Sequence, residues 1–184
     1  MKINYFTSLF LFVICFVYGQ DTYNPKKLQA PEILIDGIIE SNEWKGAQKV
    51  ILDYEVNPGN NIPPEEKTTA YILYSDTHLY IGIYAYAKPG EIRASVRSRD
   101  DFGMISDDFV LVRFDTYADG RNNYLLLANA FGSQLDARAI NALTDEDRYD
   151  ISFNLEYDTM GTIVSDGYQV EFKIPFSSLP FPNG

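Results

Sequence analysis

Asp115, Asp119, Asn122 and Asn123 place four oxygen-bearing side chains within nine residues of FDTYADGRNNY (114–124), and Gly120 allows a tight turn among them. Calcium takes six to eight oxygens from carboxylates, amides and backbone carbonyls. Asp115, Asp119 and Asn122 are therefore a candidate Ca2+ set, although the spacing is not that of a twelve-residue EF-hand loop. The alternative is an ordinary turn whose side chains cap backbone N–H groups. At the level of sequence both readings stay open.

Other chemistries have less material. His78 is the only histidine and sits in a turn beside an aromatic run, with no nucleophile-elbow motif nearby, which disfavours a Ser-His-Asp triad. One histidine and one cysteine do not furnish an ordinary zinc site. Carboxylates are plentiful: Asp100, Asp101, Asp107 and Asp108 flank one short loop, and Glu146 and Asp147 lie in another. A glycosidase pair must face a sugar across about 5–10 Å, a distance that sequence does not set.

The elements that would position these groups are strands. Aromatic residues make up 15% of the chain, which favours strands over helices. ILIDG (33–37) reads as a short strand, 41–47 as one helical turn with Ser41 as N-cap, and 48–56 as a strand. A hairpin is expected over 67–87, turning at Ser75-Asp76-Thr77. Residues 92–98 and 107–115 follow as strands; in the latter Val110, Val112 and Phe114 face one way and Phe109, Leu111 and Arg113 the other. Then come 123–130, 134–140, an acidic loop at 144–150, and strands at 151–159 and 162–175 turning at Asp166-Gly167. About ten strands at short spacings, with no amphipathic helix of three turns, predict an all-β antiparallel sandwich.

The first nineteen residues stand apart. Lys2 precedes an apolar run from Leu9 to Tyr18, and Gly19 ends it, the layout of a secretory signal peptide. Ten residues are too few to span a bilayer as a helix, which takes about 20; an N-terminal anchor is the alternative. Cleavage after Gly19 removes Cys15 and Lys2, leaving no cysteine and a formal charge of about −12. Such a surface repels phosphate backbones and argues against nucleic acid as a partner. Residues 20–32 read as a linker, 33–180 as one domain, and 181–184 as the start of a further linker.

The motifs taken in order resemble the family 9 carbohydrate-binding module, as found at the N-terminus of large secreted or outer-membrane bacterial proteins. The matching segments are IDG at 35–37 with EW at 43–44, LYSDTHLYIGIYAY at 73–86 and RSRDDF at 97–102. DD at 107–108, FDTYADGRNNY, the Asn129, Gly132 and Asp136 of NAFGSQLD, and GYQVEFKIPFSSL at 167–179 complete the set. The resemblance implies a jelly-roll-like sandwich that binds a glycan or polysaccharide without cleaving it, with calcium supporting its loops. It also implies a partner domain, an outer-membrane β-barrel, beyond this chain. Family members clamp the sugar with tryptophans; here the one tryptophan, Trp44, falls where the family fills its core, and Tyr149-Asp150-Ile151-Ser152-Phe153 replaces a Trp-Asp-x-x-Trp segment. If that segment is a strand, Tyr149 and Phe153 share a face and can stack on sugar. Arg97, Arg99, Asp100 and Asn129 would bond its hydroxyls. A docking domain for a membrane barrel and a part of a glycoside hydrolase are the alternatives.

Overall fold

A computed structural model of the chain describes residues 22–28, 33–56, 59–140 and 148–181. The expected signal peptide, Glu146, Asp147 and the last three residues lie outside them. Among the described residues ten strands form two sheets. The larger holds β1 (Lys26–Lys27), β2 (Gln48–Leu52), β3 (Thr68–Tyr74), β4 (His78–Tyr86), β9 (Asp158–Val164) and β10 (Gly167–Pro175). Its order runs β3-β4-β10-β9, with β1 and β2 sharing the outer edge of β3. The smaller sheet is a meander of β5 (Phe109–Phe114), β6 (Asn122–Asn129), β7 (Gln134–Ile140) and β8 (Tyr149–Asp150). Pairing is antiparallel apart from β1, whose Lys26 and Lys27 run parallel to Leu73 and Tyr74 in a stretch expected to be linker.

The period-2 patterning decides which faces meet. Ala70 and Ile72 of β3, Ile81, Ile83 and Ala85 of β4, and Val170, Phe172 and Ile174 of β10 turn inward. They pack on Val110, Val112 and Phe114 of β5 and on Tyr124, Leu126 and Ala128 of β6. The hairpin turn is where it was expected: Ser75 N–H donates to the His78 carbonyl, and Ser75 Oγ accepts from the N–H groups of Thr77 and His78.

Three expected strands form otherwise. Residues 33–37 do not join a ladder, because the N–H groups of Asp36 and Gly37 donate to one carboxylate oxygen, Glu171 Oε2, at 3.0 and 2.9 Å. The other oxygen accepts from Trp44 Nε1 at 2.9 Å. Glu171, on β10 and fully buried, thereby straps residues 33–47 onto the outer face of the large sheet. Gly82 leaves room for the indole: a Cβ there would lie 3.0 Å from Trp44 Cζ2. Trp44, Ile33, Leu73 and Tyr80 form a core of their own under this strap. The 41–47 turn closes with Trp44 N–H on the Glu40 carbonyl.

Residues 92–98 cross from the start of β5 to the β6–β7 turn without forming a ladder, since the N–H groups of Arg93, Ser95 and Arg97 donate to the side chains of Asp108, Asp107 and Ser133. In the third case, 151–159, the ladder begins only at Asp158. The two sheets meet at one edge around Gly161 of β9. A Cβ there would come 2.7 Å from the Ala130 carbonyl oxygen and from Gly132 N, so only glycine lets the β6–β7 turn close against β9.

Candidate functional site

The loop from 95 to 108 is held by two networks built on buried carboxylates, which use three of the four residues expected to bond sugar hydroxyls. In the first, Arg97 donates to Asp107 from Nε (2.7 Å) and Nη2 (2.8 Å), a bidentate pair. Asn129, with no exposed surface, donates from Nδ2 to the Ser95 carbonyl and to Asp107 Oδ2. Its Oδ1 accepts the N–H groups of Phe131 and Ser133. Every polar atom of that amide is spent inside the protein. The Arg97 guanidinium holds the Asp107 carboxyl well below the usual carboxylate range, against burial, with Asn129 adding in the same direction.

In the second network Arg99 Nη2 donates to Asp136 Oδ1 and to the Leu155 carbonyl, both at 2.5 Å, and Nη1 donates to Gln134 Oε1 at 2.8 Å. The guanidinium lies over the Tyr157 ring at 5.3 Å. Asp136 is fully buried and also accepts Leu155 N–H at 2.6 Å. Burial pushes its carboxyl upward, with the Leu155 N–H and Arg99 pulling the other way. Arg99 and Asp100 keep about a third of their side-chain surface exposed, with Arg99 Nε 3.6 Å from Asp100 Oδ2. Of the four residues expected to bond hydroxyls, then, Arg97 and Asn129 position the loop, while Asp100 and the outer side of Arg99 reach solvent.

The aromatic pair does not share a face. Residues 149–150 are strand, but Asp150 Oδ1 accepts from Ser152 N–H and Oγ, and this turn reverses the expected alternation. Tyr149 pairs with Ala139, which belongs to the outward face of the small sheet, and stays half exposed. Phe153 packs instead into the inner core, 5.3 Å from the Tyr124 ring and under the Arg138 guanidinium.

In the 114–124 loop the carboxylates cap backbone donors. Asp115 accepts the N–H groups of Asp119 and Gly120, and Asp119 Oδ1 accepts those of Arg121 and Asn122. The Arg121 N–H, then that of Asn122, lowers the Asp119 carboxyl. The Asn122 amide turns its nitrogen toward Asp119 Oδ2 at 3.4 Å. Two carboxylates so engaged do not by themselves supply the six or more oxygens that calcium takes. Among the described residues no group of three or more His, Cys, Asp or Glu is placed to hold a metal.

Sequence reading missed Asp107, Asp136 and Glu171 as organising residues. The signal was present in QLDARA and YQVEFK: a carboxylate at a fully buried position of a strand has to meet donors, and the donors come from loops far along the chain.

No family model matches the sequence, and no curated protein does. Solved structures do match the fold. A family 9 carbohydrate-binding module from Caldicellulosiruptor kristjanssonii in complex with glucose superposes with a TM-score of 0.55 at 17% identity, covering 86% of this chain and 73% of that one. The same module in complex with cellotriose gives 0.55 at 18%, covering 86% and 69%. The fold is that of a family 9 carbohydrate-binding module. A candidate carbohydrate-binding protein from Bacteroides uniformis ATCC 8492 gives 0.59 at 13% identity, covering 84% and 72%. On this family 9 fold the buried carboxylates described above act as fasteners: Glu171 for the N-terminal strap, Asp107 and Asp136 for the loop.

Proposed function

We propose that this chain is a non-catalytic carbohydrate-binding module that recognises a glycan or polysaccharide. The observation that carries the reading is the shared fold with modules solved with glucose and with cellotriose. The exposed groups suit such a ligand. Tyr149 offers an apolar ring face, and Asp100 and Arg99 offer hydrogen-bonding groups at a loop fixed before any ligand arrives. Export by the leader at 1–19, service in a carbohydrate-degrading or uptake system, and attachment to an outer-membrane barrel extend the same reading. Calcium at Asp115, Asp119 and Asn122 also remains a proposal.

A glycan array with the purified domain, followed by titration calorimetry on the best ligand, tests the reading. Saturable binding to a defined saccharide, with no reducing sugar released on long incubation, is the expected result. A blank array would remove it and leave a docking role. Release of reducing sugar, abolished by one carboxylate-to-amide change, would replace it with a hydrolase.

A further inference from the structure

The two networks around 95–108 are costly, and they fix a segment whose own side chains point outward. Residues Phe102–Ser106 form a short 3-10 helix. Side chains three apart eclipse on such a helix, so Phe102 and Ile105 share one side. They are 54% and 51% exposed, while Met104 between them is 1% exposed and anchors the helix on Leu125, Leu127 and Leu135. Asp101 caps the helix by accepting Gly103 N–H at 2.8 Å. A Cβ at Gly103 would lie 2.5 Å from Arg97 Nη1, so the guanidinium fills the space beneath the first turn. Asp100 enters with φ +60°, a left-handed backbone that costs a non-glycine residue roughly 1–3 kcal/mol. A bidentate ion pair on a buried carboxylate, a spent amide and a left-handed aspartate thus hold two large apolar side chains in water.

We propose that Phe102 and Ile105, rimmed by the carboxylates of Asp100 and Asp101, form the apolar ledge on which one neutral sugar ring sits. The proposal rests on the saccharide reading above and gives that reading a place. Size and charge select the occupant. One aromatic side chain contributes about 150–250 Å², whereas a specific protein interface buries about 1,200–2,000 Å²; the ledge has the area of a pyranose, not of a protein. Each rim carboxylate stands beside a guanidinium, Asp100 with Arg99 at 3.6 Å and Asp101 with Arg97 at 3.4 Å, so the rim is balanced in charge, as suits a neutral ligand, and offers hydroxyl groups both acceptors and donors. The networks keep the ledge in place without the ligand, so little ordering entropy opposes binding.

Titration calorimetry with cellotriose and affinity electrophoresis in hydroxyethylcellulose test this on the whole chain. Phe102→Ala should weaken binding about tenfold, the effect of about 1.4 kcal/mol of lost apolar contact. Ile105→Ala should weaken it severalfold, and Phe102→Trp should tighten it. Because both side chains are exposed, the melting temperatures should match the wild type. Binding by both alanine variants at wild-type strength, with loss in Tyr149→Ala instead, overturns the ledge and leaves the saccharide reading standing. No binding of either probe by the wild type overturns the ledge, and a blank glycan array would remove the saccharide reading with it. Sedimentation showing that Phe102→Ala dissociates a dimer, without changing sugar affinity, overturns the ledge in favour of self-contact.

Discussion

Replacing Glu171 with glutamine tests the account of the strap most directly. The carboxylate accepts three N–H donors, from Asp36, Gly37 and the Trp44 indole, at 2.9–3.0 Å, and has no exposed surface. Glutamine keeps the shape and one acceptor, but its amide nitrogen must face either the indole or the two backbone groups, donor against donor. Leaving a buried donor without its acceptor costs about 1–3 kcal/mol. For a domain of this size each kcal/mol lowers the melting temperature by about 2–4 °C, so the expected drop is about 2–12 °C. Glu171→Leu leaves all three donors unpaired and should cost more. Trp44 is the chain's one tryptophan, so its emission reports the strap without labels. Burial pushes the Glu171 carboxyl above its ordinary 4.5. Its contribution to stability is therefore full below about pH 4.5 and is lost as pH rises through the higher folded value. The gap in melting temperature between wild type and Glu171→Gln should be widest in acid and narrow as pH rises. A variant that melts within a degree of wild type, with unchanged tryptophan emission, would refute the strap.

Asn129→Ala removes two donated and two accepted hydrogen bonds from a fully buried site and should cost about 3–5 kcal/mol in urea denaturation, with faster amide exchange at Phe131 and Ser133. Phe153→Ala should lose about 1–3 kcal/mol of stability through the inner core, whereas Tyr149→Ala should lose less than about 0.5; equal losses in the two melts would contradict the opposite faces. For the 114–124 loop, melting curves with added calcium and with chelator decide between capping alone and capping plus an ion. Occupancy at a hundredfold excess over Kd would stabilise by about 2.7 kcal/mol, and superimposed curves would leave the capped turn.

Fold class was legible in the sequence because the side-chain alternation of a strand is local. The runs LYIGIYAYA, FVLVRFD and YQVEFKIP declare their period without knowledge of partners, and Ser75-Asp76-Thr77 carries its own turn chemistry. The resemblance in ordered motifs pointed to the sandwich that the structure has. Tertiary structure decided what each polar residue is for. Arg97 and Asn129 looked available to a ligand until Asp107 was placed beside them by the return of the chain through β5. Tyr149 and Phe153 looked like one face until Asp150 and Ser152 formed a turn between them. The same holds for residues 33–37 and 92–98, extended segments whose N–H groups are taken by Glu171, Asp107, Asp108 and Ser133 rather than by a neighbouring strand. Periodicity is written along the chain, but a hydrogen-bond partner more than a hundred residues away is not, and a buried carboxylate takes whichever donors the fold brings to it.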